Sequence, residues 1–152
     1  MGKAMALALI DYFDLGALPA MRTFGRWQTE HFDPIELRFE SLSGPDSDAD
    51  QDGISNLLEY GMATNPREYD RAPPVTVLQG DGSLTFTRST TAGDLSWRIE
   101  QSADLQSWGT ILARDWRVAA GKDLAQETVH VPLPSPSNGS FLRVVAVLDK
   151  DA

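Results

Sequence analysis

The sequence predicts an α+β protein, with helices in its first half followed by a small antiparallel β-sandwich. Three observations predict it. Apolar residues recur at helical spacing between residues 21 and 43, an acidic run follows at 46–59, and period-two alternation with frequent turn residues takes over from residue 75. These divide the 152 residues into an N-terminal helix or fragment start at 1–20, a helical segment with an acidic loop at 21–70, and a sandwich-like domain at 74–149. Arg71-Ala-Pro-Pro74 reads as the linker, because paired prolines end helices and stiffen the chain.

In the helical segment, Met21, Phe24, Trp27, His31 and Phe32 form one apolar face, with Pro19 suited to its first turn. Asp33-Pro34-Ile35-Glu36 then carries a capping aspartate, a proline for the first helical position and a glutamate placed for a capping box. Ile35, Leu37 and Phe39 are expected to supply apolar contacts, and Gly44-Pro45 to end that helix. Another helix is expected from about Ser55, carrying Leu57, Leu58 and Met62 and stopping at Thr64-Asn65-Pro66.

In the last zone, Val75 and Val77 pair with Leu84 and Phe86 across Gly80-Asp81-Gly82 as a hairpin. Leu95, Trp97 and Ile99 alternate with Ser96, Arg98 and Glu100. Ile111 and Leu112 mark a short strand, and Val129 and Val131 another. Phe141–Leu148 is almost continuously apolar, which predicts a central strand, with Asn138-Gly139 as the turn before it.

Composition narrows the function. A hydrophobic fraction of 41% supports a real core, and a formal net charge of −9 disfavours nucleic acid and anionic membrane surfaces while favouring cations. No cysteine is present, so disulfides, thiolate metal sites and cysteine nucleophiles are excluded. No segment is apolar for long enough to predict membrane insertion. The opening Met1–Ile10 has a lysine and a short apolar run, but Asp11 and Asp14 interrupt it and no signal-peptide cleavage site follows.

The decisive run is Asp46-Ser-Asp48-Ala-Asp50-Gln-Asp52-Gly53-Ile54-Ser55-Asn56-Leu-Leu-Glu59. Ca²⁺ is a hard cation that takes six to eight oxygens, and a twelve-residue loop delivers them from fixed positions. Asp48, Asp50 and Asp52 stand at positions one, three and five, and Gly53 at six allows the sharp turn. Ile54 offers its carbonyl at seven, Asn56 stands at nine, and Glu59 at twelve can bind with both oxygens. The pattern is that of an EF-hand calcium loop. An acidic solvated loop capping the next helix would explain the aspartates alone, but not the glycine and glutamate in register. Magnesium is disfavoured because it keeps its waters and takes few protein ligands. Asp46, just outside, is expected to support or cap. A single loop should bind weakly, on the order of 10⁻⁴ to 10⁻³ M, and tens of Kd of calcium would add about 2 kcal/mol of stability.

Phe24-x-x-Trp27-x-x-x-His31-Phe32, the loop Gly44 to Tyr60 and Thr64-Asn65-Pro66 together resemble a C-terminal tail module of large secreted proteins from Verrucomicrobia and related bacteria. The loop itself is similar to those of dockerins and thrombospondin type-three repeats. Trp97 to Trp108 and Phe141-Leu-Arg-Val144 resemble the β portion of such tails. The resemblance spans about residues 22 to 148 and implies a noncatalytic, calcium-stabilised module, extracellular or at the cell surface. It also makes the chain the tail of a longer protein. A dockerin-like docking module is a second expectation, although dockerins carry two such loops and one is found here. A carbohydrate-binding module using Trp108 or Trp116 is a third. His31 is expected to pack rather than act, His130 belongs to no ligand pattern, and no serine elbow or phosphate loop is found.

Overall fold

The computed structural model describes residues 20–71, 75–79, 83–111, 117–120, 125–132 and 140–149, and the fold is α+β with two small antiparallel sheets. Residues 1–19 of the helix expected at 1–20, Pro19 among them, lie outside the described residues, as do the Gly80-Asp81-Gly82 turn, Pro73-Pro74 and Leu112. Among the described residues no helix is long and apolar enough to cross a membrane.

Helix α1, Phe24–His31, starts at Thr23, whose hydroxyl accepts from the Arg26 N–H at 3.3 Å. Phe24 and Trp27 are its buried face, and the His31 ring packs 4.8 Å from Trp27. The capping box forms as predicted. Asp33 Oδ1 accepts from the Ile35 and Glu36 N–H groups at 2.7 and 2.8 Å, and Glu36 Oε2 accepts from the Asp33 N–H at 2.9 Å. The continuous helix expected beyond this box does not form. A 3₁₀ turn, Glu36–Arg38, gives way at extended Phe39 to the short helix α2, Glu40–Ser43. Leu37 stands two residues from both Ile35 and Phe39 and cannot share a helix face with them. Ile35 and Phe39 are accordingly 66% and 56% exposed, while Leu37 packs inward.

Helix α3, Asn56–Met62, ends at Ala63 in the left-handed conformation (φ 56°), and the Thr64 N–H returns to Glu59 O at 3.0 Å. The stop therefore falls where Thr64-Asn65-Pro66 predicts it.

One sheet has the order β1 (Val75–Gln79), β2 (Ser83–Ser89), β6 (Gln126–Pro132), β5 (Arg117–Ala120). The other has the order β4 (Gly109–Ile111), β3 (Leu95–Ser102), β7 (Phe141–Leu148). Every pairing is antiparallel, with Leu84 opposite Val131, Phe86 opposite Val129 and Ile99 opposite Val144. Those six residues are the buried sandwich core. Strand β5 was not legible in the sequence. Strand β7, expected at the centre, pairs only with β3 among the described residues. Its inward residues serve two cores in succession, Leu142 and Val144 in the sandwich and Leu148 in the helical cluster. Val145 and Val147, on its other face, are partly exposed.

The helical cluster buries Phe24, Trp27, Phe32 and Tyr60, and Ala92, Leu95 and Leu148 from the β part pack against it. Leu95, Trp97 and Ile99 lie on one face of β3, so a single row of side chains reaches both cores. Trp97 packs 5.1 Å from Phe86 and lies under Gly61 of α3. A Cβ at residue 61 would stand 2.7 and 2.9 Å from two Trp97 ring carbons. That close approach explains a glycine inside a helix, where it costs about 1 kcal/mol against alanine. Gly61→Ala is therefore expected to destabilise the protein by about 1–2 kcal/mol despite better helix propensity, because overpacking outweighs it. Urea unfolding measures the change, and unchanged or raised stability would refute the contact.

A polar knot joins the same two parts. Asp94, 8% exposed, accepts from the Phe24 N–H at 2.9 Å and from the Tyr60 hydroxyl at 2.6 Å. The Tyr60 hydroxyl also lies 2.7 Å from Arg22 O, and the Arg22 N–H donates to Thr91 O at 2.7 Å. Burial and the Asp94 carboxylate both push the Tyr60 phenol well up.

Candidate metal centre

The acidic loop is wound around its own side chains. Asp48 Oδ1 accepts from the Gln51 and Asp52 N–H groups at 2.8 and 3.2 Å, and its Oδ2 accepts from the Gly53 N–H at 2.8 Å. Asp50 Oδ1 accepts from the Asp52 N–H at 3.2 Å, and Asp52 Oδ1 from the Ile54 N–H at 2.7 Å. Gly53 takes φ 91°, the turn its position in the pattern requires, and Gln51 takes φ 66°. The Asn56 N–H closes the loop onto Ser47 O at 2.7 Å, and the Leu57 N–H onto Pro45 O at 3.0 Å.

Two groups of acids come together. One ligand oxygen each from Asp48, Asp50 and Asp52 lie within 4.8 Å of one another, and so do oxygens of Asp52, Glu59 and Asp70. These groups can hold a metal ion. Glu59 is 0% exposed and neither of its oxygens has a hydrogen-bond partner, and the buried Asp50 Oδ2 also lacks one. A buried, unpaired carboxylate is costly to ionise. Burial first, then the charges of Asp50, Asp52, Asp70 and Asp48, push the Glu59 carboxyl up to about 8. Asp50 is also raised, by burial and by Asp52. The chemistry on offer is a cage of hard oxygens that repel one another until a cation enters.

The expected ligands are not all placed alike. Asp48, Asp50 and Asp52 lie in one group, and Glu59 joins Asp52 in the other. Ile54 adjoins them through its N–H bond to Asp52. Asn56, expected at position nine, is fully buried; its amide nitrogen donates to Leu42 O and Gly44 O, both at 2.9 Å, and its Oδ1 has no hydrogen-bond partner. That amide clamps the end of α2 to the loop. Asp70 was missed, because it lies beyond the twelve-residue pattern and only its acidity marks it. Its backbone N–H donates to Asp52 Oδ2 at 3.0 Å.

Elsewhere, burial pushes His31 below its usual value. Trp97 borders the sandwich core as expected. Trp108 donates its N–H to Leu105 O at 3.3 Å, and the Arg143 guanidinium sits 4.0 Å over its ring. Arg143 also pairs with Glu100 at 2.6 Å, so that indole is built into the outer face of β3 and β7. Trp116 and Asn138-Gly139 lie outside the described residues.

No family model, no curated protein and no solved structure matches this chain.

Proposed function

We propose that Asp48–Glu59 is an EF-hand-type loop that binds Ca²⁺, within a noncatalytic accessory module of a secreted or cell-surface bacterial protein whose fold the ion stabilises. The observation that carries this is Glu59, sealed from water with both oxygens unpartnered beside Asp52 and Asp70. A carboxylate in that position is stable as an anion only with a cation against it. Asp48, Asp50, Asp52 and Glu59 supply charged oxygens, Ile54 its carbonyl and Asn56 its unpartnered Oδ1. A donor set this rich in carboxylates suits calcium better than magnesium, which needs tight octahedral geometry and retains water. The helical half and the sandwich share packing, so an ion that orders the loop stabilises both.

Thermal unfolding tests the reading. Calcium at about a hundred times Kd should add about 2.7 kcal/mol, which raises Tm by about 5–10 °C. Magnesium at the same concentration should do far less, and Asp50→Ala should abolish most of the calcium effect. Equal melting in calcium and in chelator would remove the proposal.

A further inference from the structure

We infer that a single calcium ion spans both acidic groups, with the Asp70 carboxylate as a ligand from outside the twelve-residue loop. The inference rests on the proposal that the loop binds calcium. Asp52 is the shared member, with a ligand oxygen within 4.8 Å of those of Asp48 and Asp50, and one within 4.8 Å of those of Glu59 and Asp70. Two calcium–oxygen bonds laid end to end reach about 5 Å, so such spacings suit oxygens arranged around one ion. Glu59 stands in the second group, fully buried, with both oxygens open to a ligand. The Asp70 N–H bond to Asp52 Oδ2 holds residue 70 against the loop before any ion arrives. The Asn56 amide nitrogen, meanwhile, donates to Leu42 O and Gly44 O, and its Oδ1 is buried without a hydrogen-bond partner.

The placement of Asp70 gives the ion a second task. Residue 70 follows α3 and precedes β1, so an ion held by both Asp48 and Asp70 ties the loop to the exit of the helical segment. The ion is then a clasp on the junction between the helices and the sandwich. Arg71, next in sequence, is exposed and offers trypsin a site whose cutting reports whether the clasp is closed.

Calcium titration calorimetry on the full chain, with Asp70→Asn and Asp50→Asn variants, tests this. The wild-type protein should take one ion per chain, Asp70→Asn should bind about tenfold more weakly, and Asp50→Asn should lose binding. In saturating calcium, tryptic cleavage after Arg71 should be several-fold faster in Asp70→Asn than in the wild type. In chelator, Asp70→Asn should melt no lower than the wild type, because one repulsive charge is gone. A lower melting point there would mark Asp70 as merely structural and overturn the inference. So would wild-type affinity in Asp70→Asn, or two ions per chain. If Asp50→Asn loses binding and Asp70→Asn keeps it, the calcium reading stands and only the clasp falls. If the wild-type chain takes up no calcium, both fall.

Discussion

Glu59→Gln is expected to stabilise the calcium-free protein near neutral pH and, at the same time, to remove most of its response to calcium. The two effects have opposite signs and one cause. In chelator the folded protein keeps Glu59 protonated up to about pH 8, whereas the unfolded chain ionises it near 4.5. Between those values the folded state holds the extra proton, so stability is greatest at the acidic end and falls as pH rises, by up to about 1.4 kcal/mol per unit. At pH 7 the accumulated penalty is on the order of 3 kcal/mol. Asp50, also raised, acts in the same direction. His31, lowered by burial, acts oppositely below its usual 6.5, so the interval from about 6.5 to 8 shows Glu59 most cleanly. Glutamine keeps the shape and carries no charge. Urea unfolding in chelator across that interval should slope downward for the wild type and run nearly flat for Glu59→Gln. Parallel curves would show that Glu59 is not the buried acid described. In calcium the order should reverse, with the wild type the more stable.

Asp94→Ala is expected to cost about 3 kcal/mol, equally in calcium and in chelator, because it unties the helices from the sheet without touching the loop. The carboxylate accepts two bonds at 2.6 and 2.9 Å in a site that is 8% exposed. Its loss orphans the Phe24 N–H at the first turn of α1 and leaves the Tyr60 hydroxyl with Arg22 O alone. Hydrogen bonds to a charged group contribute about 1.5–3 kcal/mol each, less when one donor keeps another acceptor. Tyr60→Phe, which removes one of the two bonds, should cost about half as much. Denaturant midpoints of the two variants with and without calcium check the pair. A loss confined to calcium would transfer Asp94 from the scaffold to the metal site.

The parts of the molecule differ in how far their sequence announces them, and the reasons are local. The acidic loop is legible because its geometry is encoded within twelve consecutive residues, where Gly53 and Glu59 have meaning only in register with the aspartates. The capping box at Asp33 and Glu36 is legible for the same reason. Alternation identifies β2, β3 and β6 because each has one face in the core. Strand β7 misleads, since an apolar run records contact with two successive clusters as readily as burial on both sides. Ile35 and Phe39 mislead because apolar character alone does not say which face a short, irregular segment will turn. Asp70 and Asp94 were invisible as partners. Each meets its neighbours through tertiary contacts, Asp94 across 34 residues to Tyr60 and 70 to Phe24, and Asp70 across 18 to Asp52.

The row Leu95, Trp97 and Ile99 bears on whether this loop could be moved into another protein. A wall of the pocket that shelters Trp27 and Tyr60 is supplied by Leu95 and Leu148, which are strand residues, and Gly61 is shaped to Trp97. Cut away from the strands, residues 21–71 would display that wall's imprint to water as a greasy scar. The loop is thus no portable cassette: transplanting it means carrying β3 and β7 along, or redesigning the surface on which α3 lies.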